Sequence, residues 1–155
     1  TSVIVGFPGE DEASFERLLT LVTEGHFDRL GAFAFSAQDG TRAARLGGQV
    51  PEERIAERLG RLMEAQRAVS KQKLKALVGR TVEVLVEGPS AESELLLAGR
   101  YFGQAPEIDG ATFITAGKAH IGRIQPLKIT QAHDYDLAGR IPARRQSADT
   151  RFLLG

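Results

Sequence analysis

The sequence predicts an α/β unit, then one long helix, then a small antiparallel β-barrel. Three observations carry this. The apolar run Ser2-Val3-Ile4-Val5 is followed by a helical stripe and a second strand ending near Ser36, the order of a βαβ unit. Apolar residues recur along a single face from Ile55 to Leu74. After Gly79 the period changes to two, with Val82, Val84 and Val86 alternating with polar residues. The length of 155 residues suits one ordinary domain or two small ones. A content of 42% hydrophobic and 26% charged residues is in the globular range and excludes a wholly disordered chain.

Ser2 to Val5 reads as a strand buried on both faces, ended by the turn Gly6-Phe7-Pro8-Gly9. Asp11 is a candidate N-cap, and Glu10 and Glu12 suit the positive end of the helix that follows. Phe15, Leu18, Leu19 and Val22 form its apolar face, and Gly25 ends it. Leu30 to Ser36 reads as the second strand. A loop through Gly40 and Gly47-Gly48 leads to Pro51, which a first helical turn tolerates. The long helix then runs to about Leu77, with Ile55, Leu59, Leu62, Met63, Gln66, Val69 and Leu74 as its stripe. Strand candidates follow at Thr81–Glu87, Glu94–Tyr101, Ala111–Thr115, Arg123–Thr130 and Tyr135–Arg140, the spacing of a small barrel. Pro126 predicts an edge position or a bulge in its strand. Residues 141–155 show no period and read as a tail. A strand buried on both faces needs more neighbours than one βαβ unit supplies. Residues 1–50 are therefore expected to be the end of a larger α/β domain, and residues 79–140 an independently folding unit.

No apolar run reaches the ~20 residues of a membrane helix, and no charged-then-apolar leader opens the sequence. Cysteine is absent, which excludes disulfides, thiolate zinc sites and cysteine-held iron–sulfur clusters within this chain. The net charge is zero but uneven. Residues 1–50 hold four Lys/Arg against seven Asp/Glu, residues 51–78 seven against four, and residues 79–140 six against eight. The mildly acidic barrel segment argues against generic nucleic-acid binding.

Gly6-Phe7-Pro8-Gly9-Glu10 lies at the carboxyl end of a predicted strand, where α/β sheets bind ligands. The segment is either a backbone approach for adenine or phosphate, or a tight turn and helix start. His26, His120 and His133 lack metal-like spacing and read as surface histidines. Glu107 with Asp109, and Asp134 with Asp136, place paired acids in two turns, suited to turn chemistry or to a basic partner. The Lys71–Lys75 cluster reads as a solvated helix face.

The order of five segments is more specific: Ile4-Val5-Gly6-Phe7-Pro8-Gly9-Glu10, Phe27-Asp28-Arg29-Leu30-Gly31-Ala32-Phe33, Gln49-Val50-Pro51-Glu52-Glu53, Ala105-Pro106-Glu107-Ile108-Asp109-Gly110 and Asp134-Tyr135-Asp136-Leu137. Over nearly residues 1–140 this resembles the C-terminal part of the radical-SAM methylthiotransferases. The last two segments resemble the branch that methylthiolates the β-carbon of an aspartate in small-subunit ribosomal protein twelve. The tRNA-adenosine branch and a stand-alone TRAM RNA-binding module are the alternatives. Asp11, Arg123 and Ala138 stand where the family commonly has other residues, and Pro126 interrupts a strand that is usually unbroken there.

The resemblance implies an α/β fragment holding the last strands and helix of a partial, TIM-like radical-SAM barrel (1–50). A connecting helix (51–78), a TRAM domain that is a small OB-like antiparallel barrel (79–140) and a tail (141–155) complete it. It implies a cytoplasmic enzyme using S-adenosylmethionine and two four-iron four-sulfur clusters. The cluster cysteines would belong to an N-terminal part of the same enzyme, so this chain alone is expected to be inactive and to supply no catalytic or metal-binding residue. Val5, Gly6, Phe7 and Phe35 would flank the adenine of S-adenosylmethionine. Glu107, Asp109, Asp134 and Asp136 would recognise the basic ribosomal protein in preference to RNA, with no membrane involved.

Overall fold

The computed structural model describes residues 1–93 and 95–143. The expected start of a strand at Glu94 and the tail reading for residues 144–155 lie outside the described residues. Strand β1 (Ser2–Val5), helix α1 (Glu12–Thr23) and strand β2 (Gly31–Ala34) form a βαβ unit, with β1 and β2 parallel. Asp11 caps α1, its Oδ1 accepting from Ser14 N at 2.7 Å. Gly25, at φ +77°, closes the helix by donating its N–H to the Val22 carbonyl.

Helix α2 (Glu52–Lys75) begins directly after Pro51 and packs along α1 and β2. Its buried face is Ile55, Arg58, Leu62, Gln66, Val69, Ser70 and Leu74. Thus the predicted stripe has the right phase, but Leu59 and Met63 only flank it. Arg58 and Ser70 are inside it because each has polar partners there. Val5, Phe15, Val22, Leu30 and Leu62 make the core of this half.

Strands β3 (Thr81–Pro89), β4 (Leu97–Tyr101), β5 (Thr112–Ala116), β6 (Ile124–Ala132) and β7 (Leu137–Arg140) close into a barrel in the order β3-β4-β5-β7-β6. This is the Greek-key order of an OB-type barrel. The expectation of a purely antiparallel barrel is corrected at one seam. β5 and β7 pair parallel, since β6 crosses over to β3 and leaves β7 to fill the gap beside β5. Pro126 lies in the part of β6 that pairs with β3 alone, because β7 joins β6 only from Lys128 onward. Val84, Val86, Ile114, Leu127, Ile129 and Leu137 fill the barrel together with Leu74 of α2. A helix residue therefore completes the barrel core.

Within this chain β1 is buried on one face only. Val5 is fully buried against the helices, whereas Ile4 is 57% exposed and stands beside Phe33, 60% exposed, in the parallel register. Side chains alternate across a strand, and only one face of this two-stranded sheet is covered by α1 and α2.

Candidate functional site

The carboxyl ends of β1 and β2 lie side by side. Phe7 and Phe35 meet edge to face there, with ring centroids 5.3 Å apart, Phe7 exposed and Phe35 half-buried. Of the residues expected to flank a cofactor, these two offer aromatic surface to solvent. Val5 does not offer its side chain, which is turned into the core, and its carbonyl accepts from Phe35 N at 2.8 Å. Gly6 is likewise committed. Its N–H donates to Glu10 Oε2 at 3.0 Å, and it sits at φ +85°. A Cβ at Gly6 would lie 2.4 Å from Ile55 Cγ1, so the missing side chain makes room for helix α2 rather than for a ligand.

Next to this turn, a shallow hollow of about 620 Å³ is lined by Gly9–Glu12, Gly48–Pro51, Arg54 and Arg58. Arg58, 4% exposed, donates to Glu10 Oε1 at 2.7 Å, to the Glu10 carbonyl at 3.0 Å and to Glu12 Oε2 at 2.9 Å. Its guanidinium and that of Arg61 lie over the Phe15 ring, at 5.3 and 4.9 Å from the centroid. Burial works against the Arg58 charge, but hydrogen bonds to Glu12 and Glu10 outweigh it and hold the guanidinium above its ordinary pKa. The Arg58 hydrogen bond in turn holds the Glu12 carboxyl below the usual carboxylate range. Three carboxylates at the mouth, with both nearby arginines paired, make the hollow unsuited to phosphate.

The two acidic turns of the barrel are less exposed than expected. Asp109 Oδ2 accepts from Ala105 N at 2.8 Å, and its Oδ1 is 3.9 Å from Arg29 Nε. Asp136 Oδ1 accepts from Ala111 N at 2.7 Å and so ties the β6–β7 turn to β5. Asp134 faces Lys71 at 3.0 Å and Arg67 at 4.0 Å on α2. Each of these three carboxylates therefore already has a partner within the fold. Glu107, in the left-handed region at φ 63°, is exposed and carries no ion pair among the described residues. On the helix face read as solvated, Lys71 and Lys75 are exposed, while half-buried Lys73 pairs with Asp28 at 2.6 Å.

Arg29 and Ser70 are functional candidates that sequence reasoning missed. Arg29 Nη1 donates to Ser70 Oγ at 2.7 Å, and Ser70 Oγ donates to the Asp134 carbonyl at 2.7 Å. The signal present in the sequence was that Ser70 lies four residues before Leu74 on the buried helix face. Tyr101 stands in the same cleft; burial raises its phenol above the ordinary value, with the Arg29 charge opposing. The three histidines are exposed and apart, His26 lying 2.9 Å from Glu24. Among the described residues no group of three or more His, Asp or Glu is placed to hold a metal ion. No helix among them is long and apolar enough to cross a membrane.

The OB-type barrel fixed to a βαβ unit by one helix corresponds to a known module: residues 78–141 match the TRAM domain family. Over almost its whole length the chain is also similar to proteins named ribosomal protein uS12 methylthiotransferase RimO. It is 54% identical to that of Syntrophotalea carbinolica over 141 residues, which is 91% of this chain and 31% of that protein. It is 52% identical to that of Anaeromyxobacter sp. (strain K) over 153 residues, 99% of this chain and 33% of that protein. It is 51% identical to that of Geobacter sulfurreducens over 141 residues, 91% and 32%. The chain spans about a third of the length of the curated relatives it matches.

Proposed function

We propose that the chain is the C-terminal third of a ribosomal protein uS12 methylthiotransferase, which adds a methylthio group to the β-carbon of an aspartate in that protein. In this reading residues 1–50 are the last two strands of a radical-SAM barrel, residues 51–78 the connecting helix and residues 79–140 the substrate-recognition barrel. The observation that carries it is the 52% identity over 99% of the chain to a protein of that name. The half-covered β1–β2 sheet supports it as well. Ile4 and Phe33 present an apolar face opposite the helices, as expected where strands meet the interior of a larger barrel.

S-adenosylmethionine and two four-iron four-sulfur clusters supply the radical chemistry of such an enzyme. The chain has no cysteine, so its residues do not fit the clusters, whose thiolate ligands come from another part of the enzyme. Its residues do fit the adenine. Phe7 and Phe35, packed edge to face, give an apolar wall at the carboxyl ends of β1 and β2. Val5 and Gly6 hold that wall through their backbone bonds to Phe35 and Glu10. The substrate is a basic protein of the cytoplasmic ribosome, and Glu107 is the acid left exposed to meet it.

Anaerobically reconstituted full-length enzyme should add one methylthio group to one aspartate of uS12, read by mass spectrometry. Phe7→Ala and Phe35→Ala should weaken S-adenosylmethionine binding while leaving uS12 binding intact. Modification of a tRNA adenosine, with uS12 untouched, would overturn the reading.

A further inference from the structure

We infer that Arg29 and Ser70 form a latch that fixes the orientation of the barrel on the α/β unit, making both positioning residues for a macromolecular substrate. The activity arm of this inference rests on the reading above; the structural arm does not.

The Ser70 side chain, 1% exposed, has one proton to give and lone pairs to accept with. It accepts from Arg29, just before β2, and donates to the Asp134 carbonyl in the β6–β7 turn. One hydroxyl thus joins the α/β unit, helix α2 and the barrel. Arg29 extends the junction to the β4–β5 loop through Asp109 at 3.9 Å. Leu74 seats the barrel on the helix, but apolar contact is non-directional. The angle of the barrel therefore depends on directional bonds, of which those at Arg29 and Ser70 are part-buried while the Lys71–Asp134 pair is exposed to solvent.

That angle matters because of where the two ends of α2 lie. Its start packs on Gly6 and bonds Glu10, at the carboxyl end of β1, through Ile55 and Arg58. Its last turns pack on Arg29, at the amino end of β2, and on the barrel. The helix has 24 residues, about 36 Å at the usual rise. The barrel consequently sits at the opposite end of the sheet from Phe7 and Phe35. A substrate gripped by the barrel has to reach across that span. Ile55, which packs on Gly6, lies 15 residues from Ser70, about 22 Å at the usual rise, so a rotation of about 10° at the latch moves a point there by about 4 Å, far more than a reacting group tolerates.

The chain has no cysteine, so Ala13→Cys on α1 and Gln131→Cys on β6 take spin labels at those two exposed positions alone. One narrow distance distribution is expected in the parent. Ser70→Ala and Arg29→Met should broaden it, and Arg29→Lys, which keeps a donor and the charge, should fall between. Equal widths in all four, with barrel circular dichroism preserved, overturn the latch. In full-length enzyme, Ser70→Ala and Arg29→Met should raise KM for intact uS12 by about tenfold, leaving turnover of a short peptide bearing the target aspartate unchanged. Loss on both substrates alike, or on neither, overturns the positioning role. A parent enzyme that modifies neither substrate refutes the methylthiotransferase reading, and the spin-label widths then decide the latch alone.

Discussion

Leu74→Ala should unfold the barrel more easily although Leu74 is not in it. The side chain is 2% exposed and packs with Val84, Val86, Ile114, Leu127, Ile129 and Leu137. Removing the equivalent of three methylenes costs about 2.4 kcal/mol at roughly 0.8 kcal/mol each. The closed barrel resists collapse into the vacated space, and the cavity left behind brings the total to about 3–4 kcal/mol. That lowers the folded-to-unfolded ratio more than a hundredfold, roughly 1.4 kcal/mol being tenfold. Urea titration by circular dichroism should show a lower midpoint with an unchanged slope. Amide exchange should place the loss in β3, β6 and β7. Gln72→Ala, at an exposed position of the same helix, is the control and should stay within about 0.5 kcal/mol. A Leu74→Ala change no larger than the control, or a loss confined to β1, α1 and β2, would refute the reasoning. By the same argument a fragment starting at Ser70 should be more stable than one starting at Gly79.

Arg58→Met should destabilise the α/β unit by about 3–5 kcal/mol, because Glu10 is left nearly buried without its cation; a change under about 1 kcal/mol contradicts this. Glu12 is held below the ordinary carboxylate range in the folded state, so its contribution is complete above that range and lost as pH falls through the lowered value. The acid limb of a stability–pH curve should accordingly flatten in Arg58→Met, and an unchanged limb would count against the pairing. Tyr101 has a raised phenol, so its share of stability is complete below the ordinary tyrosine value and is lost as pH rises through the raised one. Subtracting the ultraviolet titration of Tyr101→Phe should reveal that late phenolate. Reconstitution of this cysteine-free chain with iron and sulfide should leave no iron after gel filtration, and stoichiometric retained iron would contradict it.

The barrel strands were legible because one face of each is inside, which imposes alternation on Val82, Val84 and Val86. Strand order was not legible. The parallel β5–β7 seam is a pairing of distant segments that no local period encodes. The phase of α2 followed from its apolar residues, but Arg58 and Ser70 lay outside the predicted stripe, and their partners Glu10 before α1, Arg29 before β2 and Asp134 in the β6–β7 turn are distant in sequence. Gly6 read as part of either a ligand approach or a tight turn, and what requires it is Ile55, 49 positions away. The Phe7–Phe35 pair was half legible: both strand ends were expected to line a site, while their contact depends on parallel register.

The acidic turns show why net charge alone is a poor guide to a binding surface, and they yield a last prediction. A basic partner approaching Asp134 must displace Lys71 and Arg67, which the fold holds at 3.0 and 4.0 Å. At Asp109 and Asp136 it must compete with the backbone N–H groups of Ala105 and Ala111. Intramolecular donors are always present, so those carboxylates have little attraction left to offer. Glu107 is exposed and carries no ion pair among the described residues. On the proposed function, Glu107→Gln should therefore weaken binding to the ribosomal protein by about two- to fivefold at low salt, with the difference vanishing at high salt. Asp109→Asn should instead lower the melting temperature, since its oxygen holds the β4–β5 loop, and should change affinity only as far as that loop loosens. Titrating both full-length variants against uS12 at two ionic strengths separates the two roles. Weaker binding in Asp109→Asn with unchanged melting, beside an unaffected Glu107→Gln, would return the recognition surface to the acids that the structure has put to use inside the fold.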